Sequence, residues 1–302
     1  MRSFRMIAGL LLAMLVGACA LSPAEPETIL VGGATGRQGA AVVDELLLRG
    51  YRVRALTRNP EGPKAIALAE RGVAVVQGNY ADRASLDIAM SGVRKVFFYS
   101  GFSRNELEEG LNVIAAAQAA DVEHLIYSSG AAAEPGRGIA GPKMAIEQAI
   151  IASGIPYTVF RPVAFMENYS GQAKRIAKAG ITDSRAPDRM LHFIAVRDIG
   201  LFVGEAFASP DEWLNVAINI ASDRMTVADH VQVFSDVMGQ PVSYNRLPLD
   251  EFLATLPKPL RPLFRWYDEV GYSADIDRLR ARLPQLQTLR GWLEASGWEP
   301  AK

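Results

Sequence analysis

From Thr28 to Gly39 the chain reads Thr-Ile-Leu-Val-Gly-Gly-Ala-Thr-Gly-Arg-Gln-Gly. An apolar run, Ile29-Leu30-Val31, meets glycines at 33, 36 and 39, and an amphipathic stretch over residues 38–48 follows. Glycine permits a sharp turn and lets the backbone approach a bulky anion, which a helix N-terminus meets with partial positive charge. Placed between a strand and a helix, this spacing predicts a dinucleotide site. Its pyrophosphate would rest on Gly33, Ala34, Thr35, Gly36, Arg37, Gln38 and Gly39; outside that context three glycines predict only a turn.

The next predicted strand, residues 51–57, alternates with period two and stops at Arg58-Asn59-Pro60. A site selective for a ribose 2′-hydroxyl places an acid here, whereas an arginine suits a 2′-phosphate. No acid lies between Gly50 and Pro60, and Arg58 follows Gly36 by 22 residues (58 − 36). Arg58, with Arg37 in reach of the same group, predicts NADP(H) in preference to NAD(H). The competing reading makes Arg54 and Arg58 solvated charges at a strand edge and a loop.

Helical patterns over residues 63–69, 84–90, 106–120 and 142–153 alternate with strand patterns over 73–77, 95–99, 123–129 and 157–161. That alternation predicts an α/β fold, a doubly wound parallel sheet covered on both faces, with ligands at the strand C-terminal ends. After residue 163 the pattern loosens. Strands are predicted over 191–196 and 216–221, Thr226 caps a helix ending near Met238, and the last stretch is helical and Pro-punctuated. The expected division is a nucleotide-binding domain over 27–162 and a smaller, interleaved substrate subdomain over 163–302. Trp213, Trp266, Trp292 and Trp298 all fall in the second part. Such aromatics are ordinarily core; Trp266, beside Tyr267 in a mixed aromatic and basic stretch, is the candidate for substrate contact.

The 302 residues, 49% of them hydrophobic, suffice for one large or two small domains. A formal net charge of −1 with no basic block argues against a nucleic-acid partner. Cys19 is the single cysteine, so no internal disulfide forms, and His124, His192 and His230 lack metal-ligand spacing, so no metal is expected. Arg2 and Arg5 precede an apolar run over residues 6–16 and then Gly17-Ala18-Cys19, the pattern of an export signal too short to span a membrane. Leu15-Val-Gly-Ala-Cys19 also resembles the lipobox of bacterial lipoproteins. That resemblance implies cleavage after residue 18, acylation of Cys19, a tether over 19–26, and a membrane-anchored, extracytoplasmic or periplasmic protein. A wrongly chosen start codon ahead of a cytoplasmic enzyme is the alternative. Export unfolded and without cofactor stands in tension with NADP(H), a cytoplasmic currency.

Taken together, Gly33–Gly39, Val53–Arg58, Leu125-Ile-Tyr-Ser-Ser129, Lys143 with its helix, Arg161-Pro162 through Phe165-Met-Glu-Asn-Tyr169, and Phe193–Asp198 resemble the NmrA-like branch of the short-chain dehydrogenase/reductase superfamily over residues 27–302. The resemblance implies a Rossmann domain with an interleaved C-terminal part. It also implies either NAD(P)H-dependent reduction of quinones and other small molecules or nucleotide-dependent regulation of protein partners. The superfamily's reductases use Tyr-x-x-x-Lys, in which the tyrosine hydroxyl protonates substrate. Here Lys143 matches the lysine, but Ile139 stands where the tyrosine should be.

Lys143 is read as a ribose contact and catalytic cation, or as a solvated lysine paired with Glu147. Ser128 and Ser129 are read as hydrogen-bond donors to substrate, or as turn caps. Tyr99 and Asn168 are placed at the substrate pocket, Ser100 and Asn79 at the cofactor, and Asp198 as a helix cap rather than a base. The leading expectation is an NADPH-dependent reductase of a conjugated acceptor such as a quinone. The others are a membrane-anchored, non-catalytic nucleotide sensor with a protein partner, and a lipoprotein that has lost the nucleotide.

Overall fold

The computed structural model describes residues 27–101, 103–139 and 141–298. The export signal, Cys19 and the tether to residue 26 lie outside the described residues. The first half runs β1 (Thr28–Gly32), α1 (Arg37–Leu48), β2 (Arg52–Thr57), α2 (Pro63–Glu70), β3 (Ala74–Gln77), α3 (Arg83–Met90), β4 (Lys95–Tyr99), α4 (Glu106–Ala119), β5 (His124–Ser128), α5 (Gly141–Ala152) and β6 (Tyr157–Pro162). The second half supplies β7 (Ala164–Phe165), α6 (Ala173–Ala179), β8 (Ile181–Asp183), β9 (Met190–Ile194), α7 (Val196–Ala208), α8 (Pro210–Trp213), β10 (Val216–Ile220), β11 (Asp223–Thr226), α9 (Val227–Met238), β12 (Tyr244–Arg246), α10 (Leu249–Thr255), α11 (Arg261–Glu269), α12 (Ile276–Arg282) and α13 (Leu289–Ala295).

Seven strands form one parallel sheet in the order β10-β6-β5-β4-β1-β2-β3. The order reverses between β1 and β4, and the crevice beyond their C-terminal ends is where such sheets bind ligands. Helices cover both faces. On one, Val42 and Leu46 of α1 pack with Phe202 of α7 and Trp213; on the other, Leu86, Val113 and Ile146 come from α3, α4 and α5. Helices α1 and α7 lie unusually close, since a Cβ on Gly200 would stand 2.5 Å from the Ala41 carbonyl oxygen. The sheet is thus completed by a strand from the second half, as the interleaved expectation requires.

The subdomain has its own core, in which Phe193, His230, Phe234, Trp292 and Trp298 are buried together. Thr226 caps α9 as expected, its hydroxyl accepting the Asp229 N–H at 3.0 Å in a reciprocal capping box. The short strands β7, β8, β11 and β12 were not anticipated. At two to four residues each they carry too few positions for alternation to register. Asp198 is a correction: Ala195 stands at the cap of α7, and Asp198 is fully buried. Its Oδ2 accepts the Ser222 hydroxyl at 2.5 Å and the Gln287 N–H at 2.9 Å, so it ties α7 to the C-terminal segment.

Candidate active site

The glycine loop is built by backbone necessity. Gly33 has φ +64°, a left-handed conformation that favours glycine, and its carbonyl accepts the Gly36 N–H at 2.8 Å to close the turn. A Cβ on Gly39 would lie 2.2 Å from that same carbonyl oxygen, so the third glycine lets α1 pack onto the loop. Gly36 caps α1 without a side chain, leaving the first-turn N–H groups without intrahelical partners. Gly36 is also bare toward Tyr99, whose hydroxyl oxygen would be 2.1 Å from a Cβ there. The Tyr99 hydroxyl donates to the Gly33 carbonyl at 3.2 Å.

Two cavities meet at Tyr99. The first, about 570 Å³, is lined by Gly33, Thr35 and Gly36 of the loop, by Thr57, Arg58 and Asn59 at the end of β2, and by Asn79 and Tyr80. Arg58 and Asn79 therefore fall together with the glycine loop. Lys64 also stands at this loop, its ammonium donating to the Thr35 carbonyl at 3.3 Å. Lys64 is a functional candidate whose sequence signal is its place in the first turn of α2, directly after the β2 loop. Arg54 is not a solvated edge charge: it donates to the Ala89 and Ser91 carbonyls, each at 2.8 Å, and braces α3.

The second cavity, about 760 Å³, is mostly apolar. Ala131, Ala132, Ile139, Val163 and Phe165 line one side, Leu260, Leu263, Tyr267 and Tyr272 the other, with Asn168 on the rim. Tyr99, Ser100, Ser129 and Lys143 supply polar groups, as do Arg37 and Gln38. Arg37 thus opens onto this cavity, not the one lined by Arg58. Ala34 and Gly39 are buried beneath the loop and line neither cavity.

Trp266 does not line the cavity. It is buried behind the wall, and its indole N–H donates to the Arg137 carbonyl at 2.5 Å. One residue further round α11, Tyr267 takes the lining position, as does Tyr272 beyond the helix end. Ser128 also turns away: its hydroxyl donates to Gln38 Oε1 at 2.7 Å and it does not line the cavity. Ser129 does line it, with a hydroxyl that is buried beside Tyr127.

Lys143 is neither solvated nor paired with Glu147. It is 7% exposed, and its ammonium donates to Glu106 Oε1 at 2.6 Å, to Ser100 Oγ at 2.9 Å and to the Ser100 carbonyl at 3.2 Å. Ser100 Oγ in turn donates to Glu106 Oε1 at 2.6 Å and lies 2.7 Å from the buried Tyr127 hydroxyl, whose pKa burial raises. Glu147 pairs instead with Arg161, at 2.6 Å. Glu106 was invisible in sequence because it opens α4 in company with Glu108 and Glu109, where acids commonly sit to oppose the helix dipole. Among the described residues no group of His, Cys, Asp or Glu could hold a metal ion.

Fold and site define a Rossmann-type dinucleotide-binding protein with a second, apolar cavity beside the nucleotide crevice. The chain belongs to the NmrA-like family, whose model matches residues 25–293. It is 32% identical over 273 residues to the (4-alkanoyl-5-oxo-2,5-dihydrofuran-3-yl)methyl phosphate reductase of Streptomyces griseus, covering 87% of this chain and 93% of that protein. Among solved structures, the Citrobacter triphenylmethane reductase complexed with NADP(H) superposes with a TM-score of 0.78 at 26% identity. The NADPH-dependent quinone oxidoreductase of Escherichia coli, complexed with NADPH, gives 0.77 at 27%. Each structure covers 89% of this chain and 99% of its own.

Proposed function

We propose that the protein is an NADPH-dependent reductase of a flat, conjugated acceptor such as a quinone. The observation that carries this reading is the junction at Tyr99 of a glycine-loop cavity bearing Arg58 with a larger, mostly apolar cavity. Its relatives, an NADPH-dependent quinone oxidoreductase and an NADP(H)-bound triphenylmethane reductase among them, support it. The residues fit the cofactor. A side chain at Gly33, Gly36 or Gly39 would strike Tyr99 or the loop's own backbone, so the tight loop that can cradle a pyrophosphate requires all three glycines. Arg58 with Lys64 supplies positive charge for a 2′-phosphate. Such a cofactor supplies a hydride, and that hydride with one proton from water reduces a quinone to a hydroquinone.

The chain's own contribution is placement. The apolar walls hold a planar acceptor and exclude water, and Ser129, on the cavity wall beside Tyr127, donates to an acceptor oxygen. Lys143 contributes positive charge at the cavity wall, while Glu106 and Ser100 hold its ammonium. A conjugated acceptor suits a site with Ile139 in place of the acid tyrosine, because its reduced form is a stabilised anion that water can protonate.

The test mixes the full-length protein with NADPH and naphthoquinone and follows loss of nicotinamide absorbance. Oxidation that requires the acceptor upholds the reading. Tight NADPH binding without oxidation of any conjugated acceptor would favour a nucleotide sensor instead, a reading that Ile139 and the engaged Lys143 ammonium support. We also propose that Cys19 is acylated and anchors the protein outside the cytoplasm. Incorporation of labelled palmitate that Cys19→Ser abolishes would uphold this.

A further inference from the structure

Beyond the acceptor cavity, on the far side of Tyr272, lies a third cavity of about 580 Å³. Tyr272 lines both. Three arginines from separate segments line it: Arg185 after β8, Arg189 before β9, and Arg246 at the end of β12. The parallel pairing of β8 with β12 aligns Asp183 with Arg246 and so brings two of these segments side by side.

The arginines are not equivalent. Arg185 is committed, because its guanidinium pairs with Asp183, whose Oδ1 also accepts the Ser184 N–H at 2.7 Å. Arg246 donates through Nε to the Ser184 carbonyl at 3.0 Å. Arg189 has a buried Nη2 that finds no hydrogen-bond partner among the described residues. Among the described residues, neither Arg189 nor Arg246 forms an ion pair. Two carboxylates also line the cavity. Asp268 accepts the Ser184 hydroxyl at 2.8 Å, and Asp188 is exposed at the rim; neither comes within ion-pair distance of these arginines.

A buried guanidinium N–H without an acceptor costs free energy that a ligand oxygen recovers. The guanidinium fork matches the paired oxygens of phosphate, sulfonate or carboxylate. We propose that this cavity is an oxyanion site centred on Arg189, with Arg246 as the second cation. Its occupant is the anionic substituent of an elongated acceptor whose ring lies across Tyr272, or the same group free in solution. The acceptor-borne form rests on the reductase reading above; the site itself does not.

The experiment compares naphthoquinone with its sulfonate under NADPH, and separately titrates the protein with inorganic phosphate by calorimetry. Wild type is expected to favour the sulfonate, and Arg189→Ala to lower kcat/KM for it by roughly tenfold or more, the scale of one lost charged hydrogen bond. Turnover of the uncharged quinone should stay within about twofold under the same change. Phosphate binding that Arg189→Ala abolishes, with no preference for the sulfonate, supports the site with a free oxyanion as its occupant. If neither quinone turns over, the reductase reading fails, and the phosphate titration alone decides the site. Absence of both Arg189-dependent phosphate binding and a sulfonate preference overturns the proposal. Asp268→Asn, which keeps the acceptor for Ser184 while removing a competing charge, should tighten phosphate by roughly threefold. Unchanged phosphate affinity in that variant would likewise count against the site.

Discussion

Glu106 Oε1 stands 2.6 Å from Lys143 Nζ, and both side chains are buried. Ser100 and Tyr127 complete a network in which the lysine has three acceptors and the carboxylate accepts from two donors. The pair is therefore a unit, and breaking it on one side leaves a charge stranded. Glu106→Gln is expected to destabilise the fold by about 3–5 kcal/mol, while Glu106→Leu with Lys143→Met should recover much of that loss. Denaturant unfolding of the two variants checks this; equal losses in both would refute the unit.

The 2.1 Å approach of the Tyr99 hydroxyl to the Cβ position of Gly36 makes a paired prediction. Gly36→Ala should weaken NADPH binding by roughly tenfold or more, as the new methyl displaces the tyrosine or distorts the loop. Tyr99→Phe in the same chain removes the clashing oxygen and should restore binding. Failure of that rescue, measured by calorimetric titration, would mean that Gly36 serves the loop and not the approach of Tyr99.

Arg58 is expected to discriminate between cofactors. Arg58→Glu should weaken NADPH by roughly tenfold to a hundredfold and leave NADH nearly unchanged, because only the former carries the 2′-phosphate. Parallel binding curves for the two nucleotides supply the comparison. Equal weakening of both would assign Arg58 to the loop instead of the phosphate.

Ser129→Ala should lower quinone turnover without altering NADPH affinity, since Ser129 lines the acceptor cavity and not the glycine-loop cavity. A loss of roughly tenfold to a hundredfold in kcat is the expected scale for one donor to a developing oxyanion. Steady-state kinetics and a cofactor titration on the same preparation separate the two effects.

Two histidines tie stability to pH. Burial lowers His124 to about 4, with Lys95 adding to the effect. Burial lowers His230 to about 3, with Arg185 also lowering it and Asp183 opposing; Tyr169, Phe193 and Phe234 surround its ring. Both stay neutral in the fold while an unfolded histidine takes up a proton near pH 6.5. At these two sites the unfolded chain binds more protons, so their contribution to stability is full above about pH 6.5 and falls as pH drops toward the folded values. Glu167, Asp198 and Asp223, raised by burial, act in the opposite sense. Each unit below 6.5 costs up to about 1.4 kcal/mol per histidine. His230→Phe should flatten the decline in a series of thermal melts between roughly pH 4 and 7.

The Rossmann half was legible because its signals are local: Gly33, Gly36 and Gly39 are read from backbone demands, and Arg58 from its distance along the chain. The acceptor cavity was legible only in outline. Trp266 and Tyr267 are adjacent on one helix, and no pattern within residues 261–269 tells which of them turns outward; the packing of Trp266 against the Arg137 backbone decides it. Lys143 was found by its motif and its partner was missed, because Glu106 lies 37 residues away and meets it only through the packing of α4 on α5. Ser128 and Ser129 illustrate the same limit. Adjacent residues at a strand end face opposite ways, and which one meets the cavity depends on where Gln38 sits.

Strand β10 returns from beyond residue 215 to lie against β6, and α7, packed through Gly200 onto the Ala41 backbone, covers the helix that begins at the glycine loop. The molecule therefore has no seam along which it could be divided. A fragment stopped at Pro162 would uncover the backbone edge of β6 and the apolar flank of α1, an invitation to aggregate before any nucleotide arrived. For the same reason, new acceptor preferences cannot be acquired by exchanging the second half wholesale. The wall open to such change without touching the sheet is the one around Leu260, Leu263, Tyr267 and Tyr272, on segments after β10 that contribute no strand to it.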